Sequence, residues 1–203
     1  DWGFSFASRM DVDKLILQRL PVTLIVIGSS QILAILVALP VGVLAATRPY
    51  SVFDQIANTL AFIGFSLPTF FTGLLLILVF SIQLDLLPTS GMETVAAFHE
   101  GWDRVADIAL HLVLPATTLS LFYLALYTRL MRASMLEQAG MDYVVTARAK
   151  GLTERRIVVR HILRNALLPI VTMAGVQVAG MLGGSVIVES VFGWPGLGLL
   201  AFE

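Results

Sequence analysis

The residues able to do chemistry are few, and most lie in one stretch. Arg129, Arg132, Arg148, Lys150, Arg155, Arg156, Arg160 and Arg164 put eight of the thirteen Lys and Arg residues between positions 129 and 164, against three acids, Glu137, Asp142 and Glu154. No Ser, His and Asp constellation suggests hydrolysis, and no G-x-x-x-x-G-K-[ST] offers a phosphate-binding loop, so the chain does not bind ATP by itself in that way. There is no cysteine, which removes both a disulfide framework and a thiolate metal site. His99, His111 and His161 stand at no metal-ligand spacing, and His111 reads as an interfacial or hydrogen-bonded residue. The sequence therefore names no catalytic residue, no metal and no cofactor. What the basic cluster can do is electrostatic and mechanical.

Composition says what must hold that cluster. Hydrophobic residues make up 57% of the 203 residues and charged ones 13%, the signature of a membrane protein. Four stretches carry no Asp, Glu, Lys or Arg: Pro21 to Ala46, Gln55 to Leu84, Ile108 to Thr128 and Asn165 to Val188. Each reaches the length of about 20 residues that spans a hydrocarbon core as a helix. Alternating them across a bilayer puts nine basic and four acidic residues on the side of Arg48 and the 129–164 loop, and four basic and ten acidic residues on the other. The first side is expected to face the cytoplasm. These spans hold no ionisable residue except His111, so a relay of buried carboxylates, as in many secondary transporters, has nothing to work with.

Within the basic loop the pattern is that of two short helices and a hinge. Asp142 can start the first, with Tyr143, Val144, Ala147 and Lys150 at helical spacing. Gly151 suits the left-handed position that ends a helix, and Thr153 the N-cap of the next. The second helix is expected to run on into the last span, with Arg156, Arg160 and Arg164 on one face and Ile157, Ile162 and Leu163 as apolar surface for a partner. A simpler reading is that the charge enforces topology or binds anionic lipid head groups.

Other local features fill in the spans. Asp11 to Leu20 reads as an amphipathic helix on the outer surface, and Pro40 with Gly42 is expected to break the first span near its cytoplasmic end. Gly28, Ser29, Ser30 and Gln31 mark tight helix packing or, in the second reading, a solute pathway lined by Ser29 or Gln31. Pro68 removes a backbone donor in mid-span and is expected to kink the second span. Trp102 reads as an interfacial anchor. Gly180 and Gly184 form a G-x-x-x-G that permits close helix approach.

The text YVVTARAKGL followed by RHILRNALLP resembles the EAA loop of ABC importer permeases, the inner-membrane components of binding-protein-dependent transport. Ala147 and Gly151 match the general pattern, Val145 and Thr146 replace its Glu and first Ala, and TARAKGL with RH-x-LRNA is similar to the peptide-transporter branch. LQRLPVTL, LLPTSG, YTRLMRASML and the E-x-V-F-x-x-P-G-L-G carried by Glu189, Phe192, Pro195, Gly196 and Gly198 extend the resemblance over nearly the whole chain.

The resemblance implies an all-α, polytopic bundle of the type I importer permease kind, one domain over 1–203, with a cytoplasmic coupling helix in the 129–164 loop and an outer segment from 190. It implies that Tyr143, Thr146, Ala147, Arg148, Ala149, Lys150, Gly151, Leu152, Arg156 and His161 form the surface that meets an ATPase. It makes Gln31, Ser66, Pro68 and Thr69 candidates for the translocation pathway. The implied partners are a second permease subunit, two cytoplasmic ATPase subunits that bind the ATP, an outer solute-binding protein and membrane lipid, with no nucleic acid. The implied place is a bacterial or archaeal cytoplasmic membrane, and the implied cargo di- or oligopeptides, with nickel and glutathione as alternatives. A secondary transporter and a membrane scaffold are the readings from other classes. Set against the family pattern, one helix is expected upstream of Asp1 and another beyond Glu203.

Overall fold

The computed structural model describes residues 3–5, 9–94 and 100–200. It is helical almost throughout. A two-stranded antiparallel pair, β1 (Phe4–Ser5) with β2 (Met10–Asp11), precedes the helices, a feature too short to leave any periodic signal. The helix α1 then runs unbroken over Val12–Thr47, 36 residues. At 1.5 Å per residue that is about 54 Å, enough to cross a hydrocarbon core of about 30 Å and extend past both faces. The expected surface helix and first span are thus one element.

Pro40 and Gly42 do not break α1, which corrects the expectation. A proline forfeits one backbone bond, a loss that helices packed in a membrane tolerate. Gly42 serves packing: a Cβ there would lie 2.7 Å from Met131 Cβ and 2.9 Å from the Thr128 carbonyl, so only a glycine lets α1 approach this closely.

The second apolar stretch does break where Pro68 predicts. The helix α2 covers Val52–Ser66, Pro68 stands at the N-cap of α3 with φ −59° and ψ 137°, and α3 (Thr69–Leu76) passes into a π-helical stretch over Ile77–Gln83. Proline has no amide proton to lose at a helix start, so a mid-span break costs least there.

The long helix α4 covers Gly101–Ala139 and continues through Pro115. The basic loop therefore begins eleven residues later than the first arginine suggested. A charge ends an apolar run, not a helix, and Arg129 and Arg132 lie on α4 itself. After it come α5 (Asp142–Ala149), α6 (Glu154–Ile157), a π-helical turn (Val158–Ile162), α7 (Leu163–Phe192) and the short α8 (Leu197–Leu200). The second loop helix does run directly into the last span, as its pattern predicts.

The chain packs as two compact units, and α1, α4 and α7 each contribute to both. One comprises the described residues within 1–33, 67–120 and 178–203, and its interior includes Val26, Ile27, Val188, Phe192 and Trp194. The other comprises 34–66 and 121–177, and its interior includes Ala38, Ala45, Tyr127, Met131, Val144 and Ile157. In the second unit Phe65 of α2 stacks on Phe122 of α4 with centroids 4.8 Å apart.

Candidate functional site

The hinge of the basic loop has a defined geometry. Gly151 has φ +76°, the Leu152 N–H donates to the Ala147 carbonyl at 3.3 Å and the Gly151 N–H to the Arg148 carbonyl at 2.9 Å. These two bonds make a Schellman motif, which stops α5 and turns the chain sharply. Arg148 then reaches across the turn, with Nε 2.7 Å from Glu154 Oε1 and Nη2 3.3 Å from Oε2. Their mutual hydrogen bonds hold the Glu154 carboxyl below its ordinary range and the Arg148 guanidinium above its own. Thr153 occupies the N-cap of α6 with extended backbone, but its hydroxyl makes no cap bond; the Ile157 N–H bonds the Thr153 carbonyl at 3.0 Å.

The faces of the loop sort its residues. Val144 and Ala147 are buried, so Ala147 anchors α5 to the body. Tyr143 is half-buried and its hydroxyl donates to Gln138 Oε1 at 2.9 Å, tying α5 to the end of α4. Val145, Thr146, Arg148, Ala149, Lys150, Gly151 and Arg156 are exposed, and Leu152 and His161 half-buried. Arg160 and Arg164 are also exposed. Ile157 and Ile162 correct the expectation of an apolar docking face, since they are 0% and 2% exposed. The π-helical turn explains this: its i→i+5 bonding brings residues five apart toward one side, here the inside.

Two tertiary constellations escaped the sequence. Asp54, 2% exposed at the start of α2, meets Arg132 of α4 in a bidentate pair, with Nε 2.5 Å from Oδ1 and Nη2 2.7 Å from Oδ2. Its carboxylate also accepts from the Tyr50 N–H at 2.8 Å and Asn58 Nδ2 at 2.7 Å. Glu189 is the other. It lies inside α7, one residue past the charge-free stretch, and is fully buried. Its Oε1 accepts from the Thr23 hydroxyl at 2.7 Å, and its Oε2 from the Gly198 N–H at 2.6 Å and the Leu199 N–H at 3.4 Å. The Leu197 N–H donates to Thr23 Oγ1 at 2.8 Å, so Thr23 and Glu189 together bind the start of α8.

This clasp accounts for the glycines of the E-x-V-F-x-x-P-G-L-G text. A Cβ on Gly196 would fall on the Glu189 carboxylate, and one on Gly198 would collide with Val186 Cα. Phe192 and Trp194 of the same text are buried, and the Gly91 N–H donates to the Phe192 carbonyl at 2.8 Å. Only the motif text hinted at Glu189, and nothing local pointed to its partner Thr23.

The pathway candidates differ in exposure: Gln31 is buried, Thr69 half-buried, and Ser66 and Pro68 exposed. His111 is buried with Nδ1 2.9 Å from the Asp107 carbonyl, in keeping with a hydrogen-bonded histidine. His99 lies outside the described residues.

Three described helices are long and apolar enough to cross a membrane, or four if the α2 and α3 pair counts as one broken span, which defines a polytopic helical membrane protein. The chain belongs to the family of binding-protein-dependent transport system inner membrane components, whose family model matches residues 38–203. It is 44% identical over 201 residues to the oligopeptide transport system permease protein AppB of Bacillus subtilis, covering 98% of this chain and 62% of AppB. It is 40% identical over 215 residues to the dipeptide transport system permease protein DppB of Escherichia coli, covering 98% of this chain and 63% of DppB. It is also 40% identical over 203 residues to the glutathione transport system permease protein GsiC of Escherichia coli, covering 100% of this chain and 62% of GsiC. The chain thus spans less than two thirds of the length of these relatives. Among solved structures, the crystal structure of an amino acid ABC transporter with histidines shares the fold, with a TM-score of 0.70 at 20% identity over 98% of this chain and 82% of that one.

Proposed function

We propose that this chain forms the inner-membrane permease subunit of an ATP-driven peptide importer, and that the loop from Gly140 to Thr153 is its coupling element. The observation that carries this is the build of the loop. A short helix is anchored inward by Val144 and Ala147, stopped by a Schellman turn at Gly151 and clasped by Arg148 and Glu154, and it shows a polar, basic face outward. A segment that only enforced topology would need the charge but not the anchored hinge. A rigid finger of this kind suits insertion into a partner's cleft, where motion of the partner displaces the helices on both sides.

In this reading the basic end faces the cytoplasm of a bacterial cell, two ATPase subunits bind and hydrolyse ATP, and a second permease completes the pathway. A solute-binding protein delivers the cargo from outside. Similarity to oligopeptide and dipeptide permeases supports a peptide cargo. Glutathione is the second reading, supported by the 40% identity to GsiC.

The test is uptake by the complete complex in vesicles, with labelled dipeptide, oligopeptide and glutathione offered separately through the binding protein. Uptake of a peptide that requires ATP on the loop side is the expected result. Uptake that proceeds without ATP would refute the proposal, and ATP-dependent uptake of glutathione alone would replace the peptide reading.

A further inference from the structure

The Asp54 and Arg132 pair has no place yet in this function, and its chemistry is specific. A carboxylate 2% exposed is held by a guanidinium fork, a backbone N–H and a side-chain amide, so all its strong acceptor directions are used. The site is built locally as well. Tyr50 takes a left-handed φ of +64° to aim its N–H at Asp54, and the Ser51 hydroxyl accepts from the Asp54 N–H at 3.3 Å. Non-glycine residues at positive φ are uncommon and need support from their surroundings.

What the pair joins matters more than its strength. Arg132 lies near the end of α4, which runs without a break to Ala139 and is tied to α5 by the bond from Tyr143 to Gln138. Asp54 opens α2, the helix that ends at the Pro68 break. The same stretch of α4 also meets Gly42 of α1 through Thr128 and Met131. That second contact is one of close packing against Met131 and the Thr128 carbonyl, whereas the ion pair is bidentate and directional.

We infer that Asp54 and Arg132 are positioning residues for coupling: they lock the start of α2 to the end of α4, so that displacement of α5 is delivered to α2. The inference rests on the coupling reading of the loop. It assigns a defined two-site link, testable by energetic coupling and not by proximity alone.

The experiment uses the complete complex in vesicles and reads peptide uptake, ATP hydrolysis and membrane-inserted complex together. Asp54→Asn and Arg132→Lys each weaken the fork while keeping a polar side chain. Uptake per ATP hydrolysed is expected to fall about tenfold or more, with hydrolysis retained. In this cysteine-free chain the double variant Asp54→Cys with Arg132→Cys is also made, and a short bifunctional thiol reagent is expected to restore the ratio by replacing the ion pair with a covalent tie. A native ratio in both single variants would overturn the inference. So would loss of inserted complex in all variants, which would assign the pair to folding, or a double variant still uncoupled after cross-linking. Gly151→Val is measured alongside: if it uncouples and the Asp54 and Arg132 variants do not, this inference alone fails, whereas normal coupling in Gly151→Val removes the reading of the loop.

Discussion

Replacing Glu189 should release α8 without unfolding the helices around it. The carboxylate has two short bonds in a fully buried setting, to the Thr23 hydroxyl at 2.7 Å and to the Gly198 N–H at 2.6 Å, and a weaker one to the Leu199 N–H at 3.4 Å. Glu189→Ala strands the two strong donors, and each stranded donor costs about 1–3 kcal/mol. The clasp should therefore lose about 2–6 kcal/mol against local opening. At about 1.4 kcal/mol per tenfold, opening becomes roughly 30-fold to 10⁴-fold more frequent. Hydrogen exchange at the amides of Leu197 to Leu200, followed by mass spectrometry in nanodiscs, reads this directly. Gly196→Ala gives an independent arm, since its Cβ falls on the carboxylate and must push it aside while leaving Glu189 in place. Thr23→Ser, which keeps the hydroxyl, should stay protected. Unchanged exchange in Glu189→Ala, or full protection in Gly196→Ala, would show that the carboxylate does not hold α8.

Three further predictions concern other parts of the chain. Single cysteines at Thr153 and Gly101, introduced into this cysteine-free background, should be labelled by an impermeant reagent from opposite sides of the membrane; labelling of both from one side contradicts the assigned orientation. Gly42→Ala should lower the melting temperature of the purified subunit through about 1–3 kcal/mol of overpacking, because its Cβ meets Met131 Cβ at 2.7 Å. Gly28→Ala, with nothing within 4 Å, should leave it unchanged or raise it, and equal effects from the two would refute the packing argument. The clasp between Arg148 and Glu154 is exposed, so it should loosen as salt rises to about 1 M and the Debye length shrinks to about 3 Å. Because the folded-state pKa of Glu154 is depressed, its contribution is present above the ordinary glutamate range and disappears as pH falls through the lowered value. Labelling of Thr153→Cys, read relative to Gly101→Cys at the same pH so that the falling thiolate fraction cancels, should accelerate under both conditions, and a ratio indifferent to both would deny the clasp any role.

The parts legible in the sequence were those with local causes. Gly151 needed only its neighbours to be read as a helix stop, and Pro68 only its own ring to be read as a break. The charge-free stretches found the apolar helices but misplaced their ends. Arg129 and Arg132 continue α4 because one of them has a buried partner 78 residues away, and Glu189 continues α7 because Thr23 and two amides receive it. Such pairings have no periodicity and no local signature. The inward turn of Ile157 and Ile162 was hidden for a related reason: a π-helical turn shifts the face, and a pattern drawn at a spacing of four puts them elsewhere.

The central claim is that the loop carries motion between an ATPase and the membrane helices, and Gly151 tests it most directly. With φ at +76° and nothing within 4 Å of where a Cβ would sit, the cost of a side chain there is purely conformational. Asn tolerates this region, while Val should cost about 1–2 kcal/mol and pull the turn out of shape. Peptide uptake and ATP hydrolysis are measured together in the assembled complex for Gly151→Asn, Gly151→Val and, as a control at the other end of α4, Arg104→Ala. Gly151→Val should hydrolyse ATP but take up little peptide, with Gly151→Asn and Arg104→Ala near native. Normal uptake by Gly151→Val, or equal uncoupling by Arg104→Ala, would contradict the claim.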